Sequence, residues 1–175
     1  MTDTLRIGFV TGATPDKWAR HWRDGVRDGI LDMALVRLPV DRDGLHCVRL
    51  YDELQVAVAS RDHVLAAADE EVTTGDLDDE QLVRPHPSSW TPAADQLEWP
   101  PMSEQEAIET VAAGSGVVVV PMSVARLHQR KDVVTRVVTD LEPTTIALVW
   151  LVDRDDDVTQ AFVGVTKGRT ARTSR

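Results

Sequence analysis

Cysteine is almost absent from this chain: Cys47 is the only one in 175 residues. A lone cysteine excludes an internal disulfide, and with it the small stapled folds of secreted proteins. Basic residues are scarce as well, 19 Lys and Arg against 29 Asp and Glu, for a formal net charge of -10. Such a chain repels a phosphate backbone, the source of most non-specific nucleic-acid affinity, so direct DNA binding by it is not expected. No apolar run approaches the roughly 20 residues that a membrane-spanning helix needs. The start, "MTDTLRIGFV", has no basic region before a long apolar stretch and no small-residue cleavage site, so no export signal is read and the expected location is cytoplasmic.

Catalytic and metal-binding signatures are missing too. The five histidines lack metal-ligand spacing, and there is no G-x-S-x-G elbow. Gly114-Ser115-Gly116 is too short for a dinucleotide fingerprint and leads into a strand-like run instead of a helix. The acidic stretch "DRDDD", Asp153 to Asp157, starts like a calcium loop, but Val158 stands where such a loop needs glycine. Acidic residues ahead of a helix are explained by the helix dipole. No metal, no cofactor and no enzymatic activity are expected.

What is present is an alternation of strands and helices. The 42% hydrophobic and 27% charged fractions are ordinary for a globular protein, and a chain of this length buries roughly 70% of its unfolded surface. "LRIGFV", Leu5 to Val10, reads as a buried strand. Thr14-Pro15 marks a helix start, Trp18 and Trp22 share one face of that helix, and Gly25 marks its stop. Further strands are expected at Asp32 to Arg37, Cys47 to Leu50, Leu54 to Ala59 and, briefly, Gln81 to Arg84, with Cys47 as a buried small hydrophobe. Residues 85–102 hold five of the nine prolines and no clear period. A helix from Ser103 to Ala113 follows, then a strand at Val117 to Val120 and a helix at Ser123 to Gln129. Strands at "DVVTRVVTD" and "TTIALVWLVD", a helix at "DVTQAFVGVTKG" and a frayed tail "RTARTSR" complete the chain. Apolar runs without polar alternation predict a parallel sheet covered on both faces, with Val117 to Val120 as an interior strand.

In such sheets ligands sit beyond strand ends and near helix N-termini. Thr11-Gly12-Ala13-Thr14 is one such place, where Thr14 either only caps its helix or also meets an anion. Ser103 with Glu106 is the S-x-x-E capping box, and whether Ser103 or Gln105 also touches a ligand stays open. Trp90 and Trp99 either stack on an aromatic ligand or pin the proline-rich segment to the core.

The series "LRIGFV", "RDGILDMALVRLPVDRDGL", "LYDELQVAVASRDHVLA", "GDLDDEQLV" and "AIETVAAGSGVVVVPMSVARL" resembles, in order, the effector-binding domain of LysR-type transcriptional regulators. The resemblance implies a type II periplasmic-binding-protein-like α/β fold, two Rossmann-like lobes joined by two crossover strands. Lobe I would take residues 1–58 and 146–175, lobe II residues 59–145. Ligand contacts are implied at Thr11, Gly12 and Thr14, at Arg37 and Leu38, and at Ser103 and Gln105. The implied ligand is a small metabolite, anionic or aromatic, sensed in transcriptional regulation.

Two departures bear on this. The chain starts at the first strand of the effector domain, so the family's DNA-binding part is expected to be absent. The passage from "KWARHWRDG" into "VRDGILDMAL" lacks a strand and part of a helix that the family normally has, which implies a weakened homodimer. Two other readings stand beside the sensor: a module that pairs with a full-length regulator, and an enzyme on the same fold. The enzyme would need an acid or threonine paired with a cleft arginine, for which only Arg37 offers itself.

Overall fold

The computed structural model describes residues 4–9, 25–85 and 90–170. The expected helix from Thr14, with Trp18 and Trp22, lies outside these residues. The chain divides into two compact units, passing from the first to the second at Asp52–Glu53 and back at Thr144–Thr145.

The first unit is built on one sheet. Its strands are β1 (Ile7–Phe9), β2 (Met33–Arg37), β3 (Leu45–Glu53) and β8 (Thr144–Leu151), in the order β1-β2-β8-β3. β1 runs parallel to β2, and β2 antiparallel to β8. Successive residues of a strand point to opposite faces, and here both faces are dry. Ala34, Val36, Ala147 and Val149 pack with Val26 and Leu45. Met33, Leu148 and Trp150 pack with Val163 of α3 (Asp157–Thr170). That double burial is why "DMALVR" and "TTIALVWL" show no polar alternation. Arg6 fastens the start of β1 to the start of β2. Its backbone N–H and its guanidinium bond the Asp32 carboxylate at 2.8 to 3.1 Å, which holds that carboxyl below its ordinary range.

Helical backbone at residues 25–27 continues past Gly25, so Gly25 is not the stop. Gly29, at φ 69°, turns the chain instead, while Gly25 is small because a Cβ there would meet Leu31 at 2.9 Å. Cys47 is half-buried and packs at the edge of the Ala34 cluster.

The second unit orders β5 (Glu71–Val72), β7 (Val133–Val138), β4 (Gln55–Ser60) and β6 (Val117–Pro121) as β5-β7-β4-β6. β4 is antiparallel to both neighbours, and β5 is parallel to β7. The sheets are therefore mixed and not parallel: a wholly apolar run reports burial on both faces, not direction. On one face Val56 and Val58 pack with Ala107, Ile108 and Val111 of α1 (Glu104–Ala112). On the other, Ala57 and Ala59 pack with Leu65, Leu77 and Leu82. Each fully buried valine contributes about 1.5–3 kcal/mol relative to exposure.

β6 is the last named strand of its sheet and not an interior one. Its first residue is shielded by the segment read as a strand at Gln81 to Arg84, which makes one parallel bridge, Leu82 to Val117. The bridge is made by Val117, whose N–H donates to the Gln81 carbonyl and whose carbonyl accepts the Val83 N–H, both at 2.8 Å; the Leu82 N–H, on the side away from β6, donates to the Gln96 side chain at 2.7 Å. α2 (Met122–Leu127) follows directly. α3 runs through Thr170, further than the tail expected from Arg169. Among the described residues no helix is long and apolar enough to cross a membrane.

The α1–β6 turn depends on two glycines. Gly114 (φ 92°) and Gly116 (φ 115°) both occupy backbone that side chains rarely adopt. A Cβ on Gly116 would also lie 2.2 Å from the Gln81 carbonyl oxygen, which accepts the Val117 N–H at 2.8 Å. Gly114→Ala is expected to cost about 1–3 kcal/mol of strain in urea unfolding. Gly116→Ala is expected to cost clearly more, since backbone must move; equal losses would contradict this account of the turn.

Candidate functional site

The sequence-predicted residues fall into three groups. Thr11, Gly12 and Thr14 lie outside the described residues. Arg37 and Leu38 stand together where β2 ends, in the first unit. Ser103 and Gln105 share the start of α1, in the second.

At α1 the capping box is complete. Ser103 Oγ accepts the Glu106 N–H at 3.2 Å and donates to Glu106 Oε2 at 2.8 Å. The Ser103 N–H donates to the same oxygen at 2.7 Å. These bonds, the backbone one foremost, hold the Glu106 carboxyl below its ordinary value of 4.5. The Ser103 hydroxyl proton is thereby committed, and a ligand would find the hydroxyl only as an acceptor. Gln105 spends one amide hydrogen on Glu109, at 3.0 Å, and keeps a carbonyl oxygen and a second hydrogen for other partners. The positive end of the helix dipole adds a field that favours a carboxylate.

Around this turn the structure places residues not picked out from sequence. Glu104 is 2% exposed, so an acid sits in the core of the first turn. Trp99 packs with Met102 and Met122 against the α1–β4–β6 core, and Trp90 packs against the opposite one. Both tryptophans thus pin the proline-rich segment. The Trp99 indole N–H is buried without a hydrogen-bond partner among the described residues. Two glutamines order the same segment by exchanging bonds. Gln81 Nε2 donates to the Asp95 carbonyl at 2.7 Å and Gln96 Nε2 to the Glu80 carbonyl at 3.0 Å.

At β2, Arg37 is half-buried, with its Nε wholly covered. It sits opposite Ile146 in the ladder. The Leu38 N–H donates to the Thr145 carbonyl at 2.9 Å, and the Leu38–Pro39 peptide is cis. Thr145 is itself fixed. Its hydroxyl donates to Asp52 Oδ1 at 2.5 Å and accepts from Arg49 Nη2 at 2.8 Å. The Thr145 bond, with Arg49 behind it, keeps the Asp52 carboxyl below its ordinary range. Arg49, Asp52 and Thr145 thus brace the strand end that carries Arg37 and Leu38. Nothing local in "TTIAL" marks Thr145 for this role; only the pairing of β2 with β8 brings it there.

Elsewhere the acidic run is accounted for by local bonds. Asp156 accepts the Thr159 N–H at 2.8 Å, and Asp155 accepts the Trp150 indole N–H at 3.2 Å.

A model of the LysR substrate binding domain matches residues 17–171. Solved structures of similar fold include the reduced form of OxyR, at 19% identity and TM-score 0.75, covering 99% of this chain and 97% of that one. The BenM effector-binding domain with its effector benzoate shares 17% identity at TM-score 0.72, over 97% of this chain and 92% of that one. A cysteine mutant of OxyR from Corynebacterium glutamicum shares 19% identity at TM-score 0.69; the match covers 97% of this chain but only 64% of that protein's chain. No curated protein matches by sequence. At these identities the structures speak to the fold alone, which is the type II periplasmic-binding-protein-like one.

Replacing Ser103 with alanine removes the cap and is expected to cost about 1 kcal/mol in urea unfolding at pH 7. Because the folded Glu106 carboxyl titrates below 4.5, its contribution is full above that pH and is lost as pH falls through the folded value. Ser103→Ala should therefore flatten the acid limb of the stability curve below pH 4.5. An unchanged acid limb would contradict the assignment.

Proposed function

This chain belongs to the LysR substrate binding domain family, and from that premise we propose that it is a small-molecule effector-binding module acting in transcriptional regulation. Both units together constitute one effector-binding domain. The observation that carries the reading is the family match over nearly the whole chain. The ligand chemistry follows from the residues. Arg37 brings a fixed cation and the start of α1 a helix dipole, so the effector is anionic, and the BenM domain makes an aromatic carboxylate the first candidate. The residues proposed to contact it are Thr11, Gly12, Thr14, Arg37, Leu38, Ser103 and Gln105.

Binding, and not thiol chemistry, is the sensing event. OxyR has been solved in oxidised and reduced forms, but a chain whose sole cysteine is Cys47 forms no internal disulfide. Catalysis is not part of the proposal, since the Ser103 hydroxyl and the Glu106 carboxylate are spent on one another. With a net charge of -10, the chain does not grip DNA itself, so any DNA contact is supplied by other protein surface. The site of action is the cytoplasm, where regulators of this family meet their metabolites.

A second reading has one observation of its own. β1 ends its sheet among the described residues, and Phe9 on it is 64% exposed. An open strand edge beside an exposed aromatic suits pairing with a second copy or with a full-length regulator. The pairing is weaker than the family's usual homodimer if the shortened first lobe removes part of that surface. Sedimentation velocity at micromolar concentration checks it, with a stable dimer contradicting the weakened interface.

The main test is thermal unfolding against a panel of aromatic and aliphatic carboxylates, benzoate included. A true effector at 100 times its dissociation constant stabilises the protein by about 2.7 kcal/mol. Arg37→Ala should weaken binding by about 1.5–3 kcal/mol, the worth of a charge-assisted hydrogen bond. No stabilisation across the panel would contradict the proposal.

A further inference from the structure

A second place in the molecule collects charge without using it. An open cavity of about 590 Å³ lies in the second unit, bordered by Ser60 and Arg61 after β4, by Arg130 and Lys131 before β7, and by Ala112 at the end of α1. α1 has nine residues, so this cavity sits about 13 Å along the helix from Ser103. It is separate from every residue proposed above to hold the effector.

Its walls are tied together. The Arg61 N–H donates to the Asp132 carbonyl at 2.9 Å, and Ser60 faces Val133 in the β4–β7 ladder. Ser60 is 9% exposed. Its oxygen accepts the Asp62 N–H at 3.3 Å, which leaves the hydroxyl proton to donate. Arg130 grips Asp132 with two bonds of 2.9 and 2.7 Å, and that pair is neutral as a unit; the Asp132 carboxyl is held down to about 2. Among the described residues the Arg61 and Lys131 side chains form no direct hydrogen bond or ion pair, although the Arg61 charge, behind that of Arg130, also helps to hold the Asp132 carboxyl down. Asp62 is the one lining carboxylate without a cation fastened to it.

We propose that this cavity, lined by Ser60, Arg61 and Lys131, is a second ligand site that takes a small phosphate-type dianion. The guanidinium fork of Arg61 offers paired donors, Lys131 a point charge and Ser60 a hydroxyl, a donor set that suits tetrahedral oxyanions. The dianion arrives as free phosphate or as the head of a phosphate monoester. The fixed turns on both sides mean that it meets an assembled site.

The test uses the full chain at pH 7.5, with amide NMR shifts read during titrations of inorganic phosphate, methyl phosphate and sodium chloride at matched ionic strength. Saturable shifts at residues 60–62 and 130–132 are expected for both phosphates, with a dissociation constant on the order of 1 mM, and none for chloride. Tighter binding of methyl phosphate identifies a monoester as the source, and equal binding free phosphate. Arg61→Ala combined with Lys131→Ala should weaken binding at least about tenfold at an unchanged melting temperature, while Arg37→Ala leaves it unaffected. Shifts that chloride reproduces, or that survive the double substitution, would overturn the proposal whatever the carboxylate panel shows.

Discussion

The middle of β4 touches no water on either face. Val56, Ala57 and Ala59 are fully buried and Val58 is 1% exposed. This constraint orders the second unit. Val56 and Val58 fix the seat of α1, and Ala57 and Ala59 leave room for Leu65, Leu77 and Leu82 on the other side. With α1 seated, its first turn carries Ser103 and Gln105 to one place, and its last carries Ala112 to the rim of the Ser60 cavity. A polar residue within β4 would have to break one of the two cores, since no position in its middle faces solvent.

The first unit solves the same problem with β2 and β8, and it presents its cation by a different route. Arg37 sits at a strand end whose backbone is held by Thr145, and Thr145 is held by Asp52 and Arg49. If Arg37 holds the proposed effector, a strand end set by such a chain of contacts needs little rearrangement to meet an anion. The start of α1 is organised in the same spirit. Its hydroxyl and first acid are spent on one another, so what remains for a ligand is the field of the helix and the Gln105 amide.

Much of the layout was legible because it rests on local rules. Ser103 and Glu106 stand three apart, and that spacing alone implies the reciprocal cap that is found. The valine run at 117–120 and the "MALV" run at 33–36 read as strands because nothing polar interrupts them. Long-range contacts were not legible. Apolar runs do not encode direction, so antiparallel β4 and β6 were expected to be parallel. Gln81 to Arg84 has strand composition, yet it makes only one bridge to β6, and the Leu82 N–H on its other side is taken by Gln96 from the proline-rich segment. Gly25 carried a plausible stop signal, but its smallness serves the contact with Leu31, and Gly29 makes the turn. For the candidate site, Arg37 was nominated through family likeness, whereas the bracing of its strand end by Thr145 depends on strands far apart in sequence.

Hydrogen–deuterium exchange of the chain, with and without the carboxylate that most raises its melting temperature, tests the sensor account most directly. The account predicts saturable slowing of exchange at the backbone of Arg37 and Leu38 and of Ser103 and Gln105. Exchange that is unchanged at both segments while the ligand is bound would contradict it.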